Sequence, residues 1–281
     1  MKKRRKVTSQ ELGLGVGLVL GRHFFGIEDL HYGYWTSDLQ VDIRNLPRAQ
    51  ERYSEFVISH IPRGVKTILD VGCGIGGVAR RLIDRGFQVD CVSPSPFLTQ
   101  FARQVLGPDA QLFECPFEEL ETHKRYDLLL FSESFQYVPL EIALQRSVSL
   151  LEDDGHLLIC DFFRKEADGK SPLGGGHRLT KFYEAISRLP VDRVHDIDIT
   201  THTAPTMRIV DDAFRNAVLP TWKMARESFT ASRPFLSRFL QWKFRRKIEK
   251  LERKHFSGAR NPENFEVFKS YRLLLYKKKE G

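Results

Sequence analysis

The densest concentration of site chemistry in this sequence is an acidic residue followed by four glycines within six positions. Residues 67–80 read TILDVGCGIGGVAR, with Asp70 ahead of Gly72, Gly74, Gly76 and Gly77. Glycines there reach positive φ and let the backbone approach a ligand closely. A helix opening behind them offers unpaired amides to an anion. A carboxylate directly beneath a pyrophosphate would repel it. An amino-acid ligand suits the set better, with its carboxylate on the amides and its ammonium beside an acidic or carbonyl oxygen. A second candidate is Glu133, a charged residue straight after the apolar run 126–131, YDLLLF. It can contact an acceptor or hold a base. His177 and His202 complete the set of candidate catalytic bases.

These residues need a scaffold, and the chain spells one out. Short apolar runs at 67–71, 88–92, 110–114, 126–131 and 156–160 alternate with helical patterns at 76–85, 97–106 and 140–151. That alternation predicts an α/β doubly wound, mostly parallel sheet with right-handed crossovers. The continuous apolar run at 126–131 fits a strand buried on both faces. Asp153-Asp154-Gly155 reads as a turn. Further on, helices are expected over 179–189, 207–223 and 234–255, and strands over 193–199 and 266–276. Residues 1–20 read as a flexible basic tip running into a short apolar segment. Residues 50–60 read as a helix. Between them, residues 22–40 hold five aromatics and two histidines and read as a lid, in which Tyr32, Tyr34 and Trp35 close a pocket. Four regions follow: 1–60 a basic tip and aromatic lid arm, 61–199 the ligand-binding core, 200–261 a helical cap, and 262–281 the final strand with a basic tail.

The 281 residues carry a net charge of +8, with five basic residues in a row from Lys2 to Lys6 and seven more between Lys243 and Lys254. Such patches attract nucleic acid or anionic lipid. Cys73, Cys91, Cys115 and Cys160 form no CxxC pair, which speaks for buried thiols in a reducing compartment and against a zinc site. No apolar run is long enough to span a membrane; the longest, residues 12–20, is followed by no small-residue cleavage site.

At LDVGCGIGG, residues 69–77, the sequence resembles the class I S-adenosylmethionine-dependent methyltransferases, firmly over 66–162 and loosely in the last strand. The segments HYGYW at 31–35 and DIT at 198–200 resemble the tocopherol, sarcosine, sterol and cyclopropane-type small-molecule members. The resemblance implies a seven-stranded Rossmann-like sheet and S-adenosyl-L-methionine as cofactor. It implies that Asp70, Gly72 and Gly74 hold the methionine part. Ser93, followed by Pro94, stands where many members have an acid for the ribose, and a single hydroxyl cannot bind both ribose oxygens. Pro116 stands where many have an aspartate near adenine, which leaves Phe117 to pack the ring and Glu118 to accept its hydrogen bond. Tyr34 of the lid and Ser132 at the strand end complete the cofactor set.

The function this implies is methyl transfer to an O, N or C atom of a small acceptor, apolar or lipid-like. The enzyme would work in the cytoplasm, with peripheral contact to anionic membrane. An RNA methyltransferase using the basic patches is the alternative. It is disfavoured because no RNA-binding module and no NPPY-type string follows the 126–131 strand. A non-catalytic cofactor-binding scaffold is the third reading.

Overall fold

The computed structural model describes residues 9–169, 171–255 and 258–280. Its centre is a seven-stranded sheet built from β1 (Thr67–Val71), β2 (Gln88–Val92), β3 (Leu112–Phe113), β4 (Tyr126–Ser132), β5 (Leu151–Arg164), β6 (Val191–Asp198) and β7 (Lys269–Lys278). The spatial order is β3-β2-β1-β4-β5-β7-β6, and β7 alone runs antiparallel to its neighbours. Helices α1 (Ser9–Phe25), α2 (Leu46–Ser59), α3 (Gly77–Asp84), α4 (Pro96–Leu106), α5 (Leu140–Leu150) and α6 (Leu179–Ile186) precede β6 in the chain. Between β6 and β7 come α7 (Thr200–Thr203), α8 (Pro205–Ala213), α9 (Leu219–Ser232), α10 (Pro234–His255) and α11 (Pro262–Phe268).

The sheet is buried on both faces, as its apolar runs require. Ile68, Leu128, Leu130 and Leu158 point into one apolar layer. Their neighbours Leu69, Leu129, Phe131, Leu157 and Ile159 point into the other. Successive side chains of a strand alternate in this way, so a run without polar interruption serves two cores at once. Chain order reverses between β1 and β4. Connections leave the carboxyl ends of those strands in opposite directions and open a crevice there.

Four segments depart from the sequence expectation. Residues from Ser9 onward form a helix, because Leu18 finds a buried place against Ile75 and Leu98; Lys2 to Lys6 lie outside the described residues. Asp153-Asp154-Gly155 is no turn but a bulge inside β5. Tyr126 faces Leu151 while Leu128 faces His156, and Lys278 and Lys277 pair with Asp153 and Asp154 at 3.1 and 2.7 Å. Glu266 to Phe268 close a helix instead of opening the last strand. Asn261 caps that helix by accepting from Asn264 N at 2.8 Å, Pro262 occupies its first turn, and Phe265 is buried. The expected helix over 207–223 starts earlier, ends later and widens to a π-helical turn at Phe214–Val218. Pro220 explains the widening: it has no amide hydrogen and its ring crowds the carbonyl four residues back.

Candidate active site

The crevice at the carboxyl ends of β1, β2 and β4 is a cavity of about 510 Å³. Asp70 lies on its wall, 2% exposed, and its Oδ2 has no hydrogen-bond partner. Burial pushes its carboxyl up to about 7. The loop beyond it turns through positive φ at Gly72, Gly74 and Gly76. At Gly72 a Cβ would sit 2.4 Å from the Ser134 Cβ, so β1 and β4 can close here only around glycine. At Gly77 a Cβ would meet Asp29 Oδ1 at 2.1 Å, so the start of α3 is bare to let the leader reach it.

That leader is clamped by buried polar contacts. Asp29 pairs with Arg81 at 2.9 Å. Gln50 Nε2 donates to the carbonyls of Asp29 and His31 at 3.0 and 2.6 Å. His31 Nε2 lies 3.1 Å from the Ser54 hydroxyl, and burial lowers the imidazole pKa, which favours the neutral ring. Asp29, Leu30 and His31 all line the cavity. Sequence reasoning passed over Asp29 and His31. Gly77 carried a signal for them, since a glycine at the first position of a helix marks a close approach.

Ser93, Pro94, Phe117, Glu118 and Ser132 also line the cavity, as do Gly72 and Gly74. Ser93 is buried and its hydroxyl stands 3.5 Å from Ser95 N, while the Ser95 hydroxyl caps α4. Phe117 faces the cavity and the core together, edge-on to Phe131 at 5.5 Å. Glu118 is exposed at the rim.

The lid aromatics take other places. Trp35 is buried among Leu39, Leu46, Ala49 and Ile209, its indole donating to the Thr206 hydroxyl at 2.9 Å. Tyr34 is stacked between Phe56 and His202, at 4.8 and 4.5 Å. Neither lines the cavity, and neither does Tyr32. His202 is held by that stack and by Trp35 N donating to its carbonyl at 2.8 Å. His177 Nε2 sits 3.0 Å from the Val138 carbonyl and 3.3 Å from that of Phe135. Both histidines are therefore engaged away from the cavity, and the structure does not bring them to Glu133.

Glu133 does reach it. Its backbone takes a positive φ of 56°, an uncommon state for a side-chain-bearing residue at a strand end. Its Oε1 accepts from the Tyr271 hydroxyl at 2.5 Å and from Tyr32 N at 2.6 Å. The Tyr53 and Tyr271 hydroxyls are 3.0 Å apart. Burial dominates and raises the Glu133 carboxyl to about 8, although both hydrogen bonds pull it down. Behind it Asp161, also raised by burial to about 7, accepts from Gln136 N and Nε2 at 3.1 Å each. Among the described residues, the lining contains four carboxylates, Asp29, Asp70, Glu118 and Glu133, and no Lys or Arg.

Residues 68–155 match a family model described as a methyltransferase domain. Among curated proteins, the malonyl-[acyl-carrier protein] O-methyltransferase of Acetivibrio thermocellus is 31% identical over 99 residues, 34% of this chain and about a third (35%) of that relative. Among solved structures, the [4+2]-cyclase SpnF superposes with a TM-score of 0.68 at 17% identity, over 98% of this chain and 97% of its own. The geranyl diphosphate C-methyltransferase of Streptomyces coelicolor, solved with Mg2+, geranyl diphosphate and S-adenosyl-L-homocysteine, gives 0.65 at 15%, covering 92% of each chain.

The fold is that of the class I methyltransferases, and residues 68–155 form a methyltransferase domain within it. For such a domain the sequence resemblance at residues 69–77 implies S-adenosyl-L-methionine as cofactor. The unpartnered, buried Asp70 oxygen and the bared glycine loop fit the ammonium and carboxylate of such a molecule.

Proposed function

We propose that this enzyme methylates an O, N or C atom of a small, largely apolar acceptor that carries no negative charge. The observation behind this reading is the charge of the cavity, whose lining has four carboxylates and no Lys or Arg. With Asp70 and Glu118 given to the donor and Asp29 paired with Arg81, the carboxylate left for the acceptor is Glu133, and no Lys or Arg among the described lining residues offers an anionic acceptor a counter-charge. The cofactor supplies a methyl group on a positively charged sulfur, so the protein's task is alignment, desolvation and, for an oxygen or carbon acceptor, removal of a proton.

On this reading Asp70, with Gly72 and Gly74, holds the amino-acid end of the donor, and Ser93, Pro94, Phe117, Glu118 and Ser132 frame the nucleoside end. Glu133 is the catalytic residue at the acceptor side. It is already gripped by Tyr271 and Tyr32 N, so one oxygen is fixed and the other is left to take a proton or bind an amine. His177 and His202 are not assigned to the chemistry, nor is Tyr34. Of the helices after β6, α7 touches the leader through His202, α8 through Thr206 and Met207, and α11 through Phe265. Contact with anionic membrane belongs to the same reading, because an apolar acceptor partitions there.

Labelled cofactor incubated with cell extract tests the reading. Label in an organic-extractable product that lacks an acid group supports it. Label in RNA, or in an acidic product, overturns it. The cyclase SpnF shows that this fold is not by itself proof of methyl transfer; calorimetric cofactor binding without any labelled product would favour the scaffold reading.

A further inference from the structure

The whole net charge of the protein sits in one helical hairpin. Residues 219–255 contain eleven Lys and Arg against three Asp and Glu, a net +8, and the remaining residues carry 33 of each sign. α9 and α10 turn on each other at Arg233, where the Thr230 and Ser237 hydroxyls meet at 2.8 Å. Every residue from 220 to 236 is exposed. The exposed side chains are not only polar. Phe235, Phe239 and Trp242 follow one another at four- and three-residue spacing, which places them on one stripe of α10, exposed by 88, 50 and 76%. Leu236 beside them and Trp222 and Met224 on α9 are exposed as well. Arg238, Lys243, Arg245 and Arg246 surround the stripe, all exposed, with the Lys243 ammonium 5.7 Å from the centre of the Phe239 ring.

We infer that this hairpin is a peripheral docking surface for an anionic lipid bilayer. Bulky apolar and aromatic side chains on the surface of a charged helix lose water contact by entering the headgroup region, and the flanking cations gain the negative surface potential. No described helix is long and apolar enough to cross the membrane, so the contact is interfacial. The mixture of side chains favours lipid over nucleic acid: Leu236 and Met224 have no ring on which a base could stack. The inference rests on surface chemistry and holds whatever acceptor the cavity takes.

Sedimentation of the full chain with vesicles tests it. Vesicles containing phosphatidylglycerol should bind strongly at ~0.1 M salt, vesicles of phosphatidylcholine alone should bind weakly, and binding should fade as salt rises. The Arg238→Gln, Lys243→Gln, Arg246→Gln variant should lose roughly fivefold per charge, about 100-fold in all. The Phe235→Ser, Phe239→Ser, Trp242→Ser variant should bind weakly, and in the parent protein brominated lipid should quench tryptophan emission. Unchanged thermal melts and unchanged cofactor binding show that the variants are folded. Four results would overturn the inference. They are no preference for anionic vesicles, binding that both variants retain, a salt-sensitive shift of RNA without vesicle binding, and a dimer in light scattering that the serine variant dissociates.

Discussion

The cavity and the α9–α10 hairpin are electrostatic opposites within one chain. The cavity gathers four carboxylates and no Lys or Arg in its lining, although the protein as a whole is basic. The hairpin holds eleven basic residues and leaves its aromatic side chains in water. Burial makes the difference consequential. Asp70 and Glu133 are desolvated enough to be raised to about 7 and 8, so their proton occupancy is decided by the interior. The described hairpin charges, from Lys223 to Arg246, are exposed, and each alone contributes little to stability. A cavity of this kind is tuned by single atoms. A surface of the other kind acts only as a sum.

Substitutions should break this contrast in a graded order. Glu133→Gln is expected to cost the most, about 10²- to 10⁴-fold in kcat, with cofactor affinity nearly unchanged, in single-turnover assays. The carboxylate is the competent form and its pKa is raised, so the parent rate should climb with pH through about 8. Asp70→Asn removes the acceptor for the cofactor ammonium and should weaken cofactor binding about 10- to 100-fold by calorimetry. The same change should stabilise the ligand-free protein at pH 8 by roughly 1–3 kcal/mol, because a buried charge disappears.

Tyr271→Phe takes away a hydrogen bond that favours the ionised Glu133. Its pH–rate profile should move to higher pH, with a rate near the parent's once the pH is high enough. The carboxyls of Asp70, Glu133 and Asp161 all have raised pKa values in the folded state. Between about pH 4 and 8 the folded chain keeps protons that the unfolded chain has released, so stability must fall as pH rises through that window. Melting curves from pH 5 to 8.5 should show the fall, and saturating cofactor should shrink it by pairing with Asp70. Phe235→Ser stands at the small end, within about 0.5 kcal/mol in melting and without effect on kcat for a soluble acceptor.

Much of the donor side was legible beforehand. Strands β1 and β2 fall where the apolar runs end in Val71 and Val92, and the glycine loop between β1 and α3 is a local consequence of residue types. At the end of β4 only Glu133 was legible, where a charge follows an apolar strand. Its neighbours were not. Tyr271 is 138 positions away, in the last strand of the chain. His177 and His202 were attractive for their chemistry, but the fold spends one on backbone carbonyls and the other on a tyrosine stack. Tyr34 and Trp35, expected to close the pocket, turn instead toward α2, α7 and α8, where Thr206 offers the indole of Trp35 a buried partner.

The sequence by itself determined the α/β alternation, the bared glycine loop and the acid before it. Each depends on contacts within a few residues and on the period of apolar positions. Tertiary structure decided what Glu133 touches and why Gly77 must lack a side chain. Those facts join positions far apart in the chain, through β7 inserting between β5 and β6 and the leader crossing α3, and no local propensity encodes such meetings.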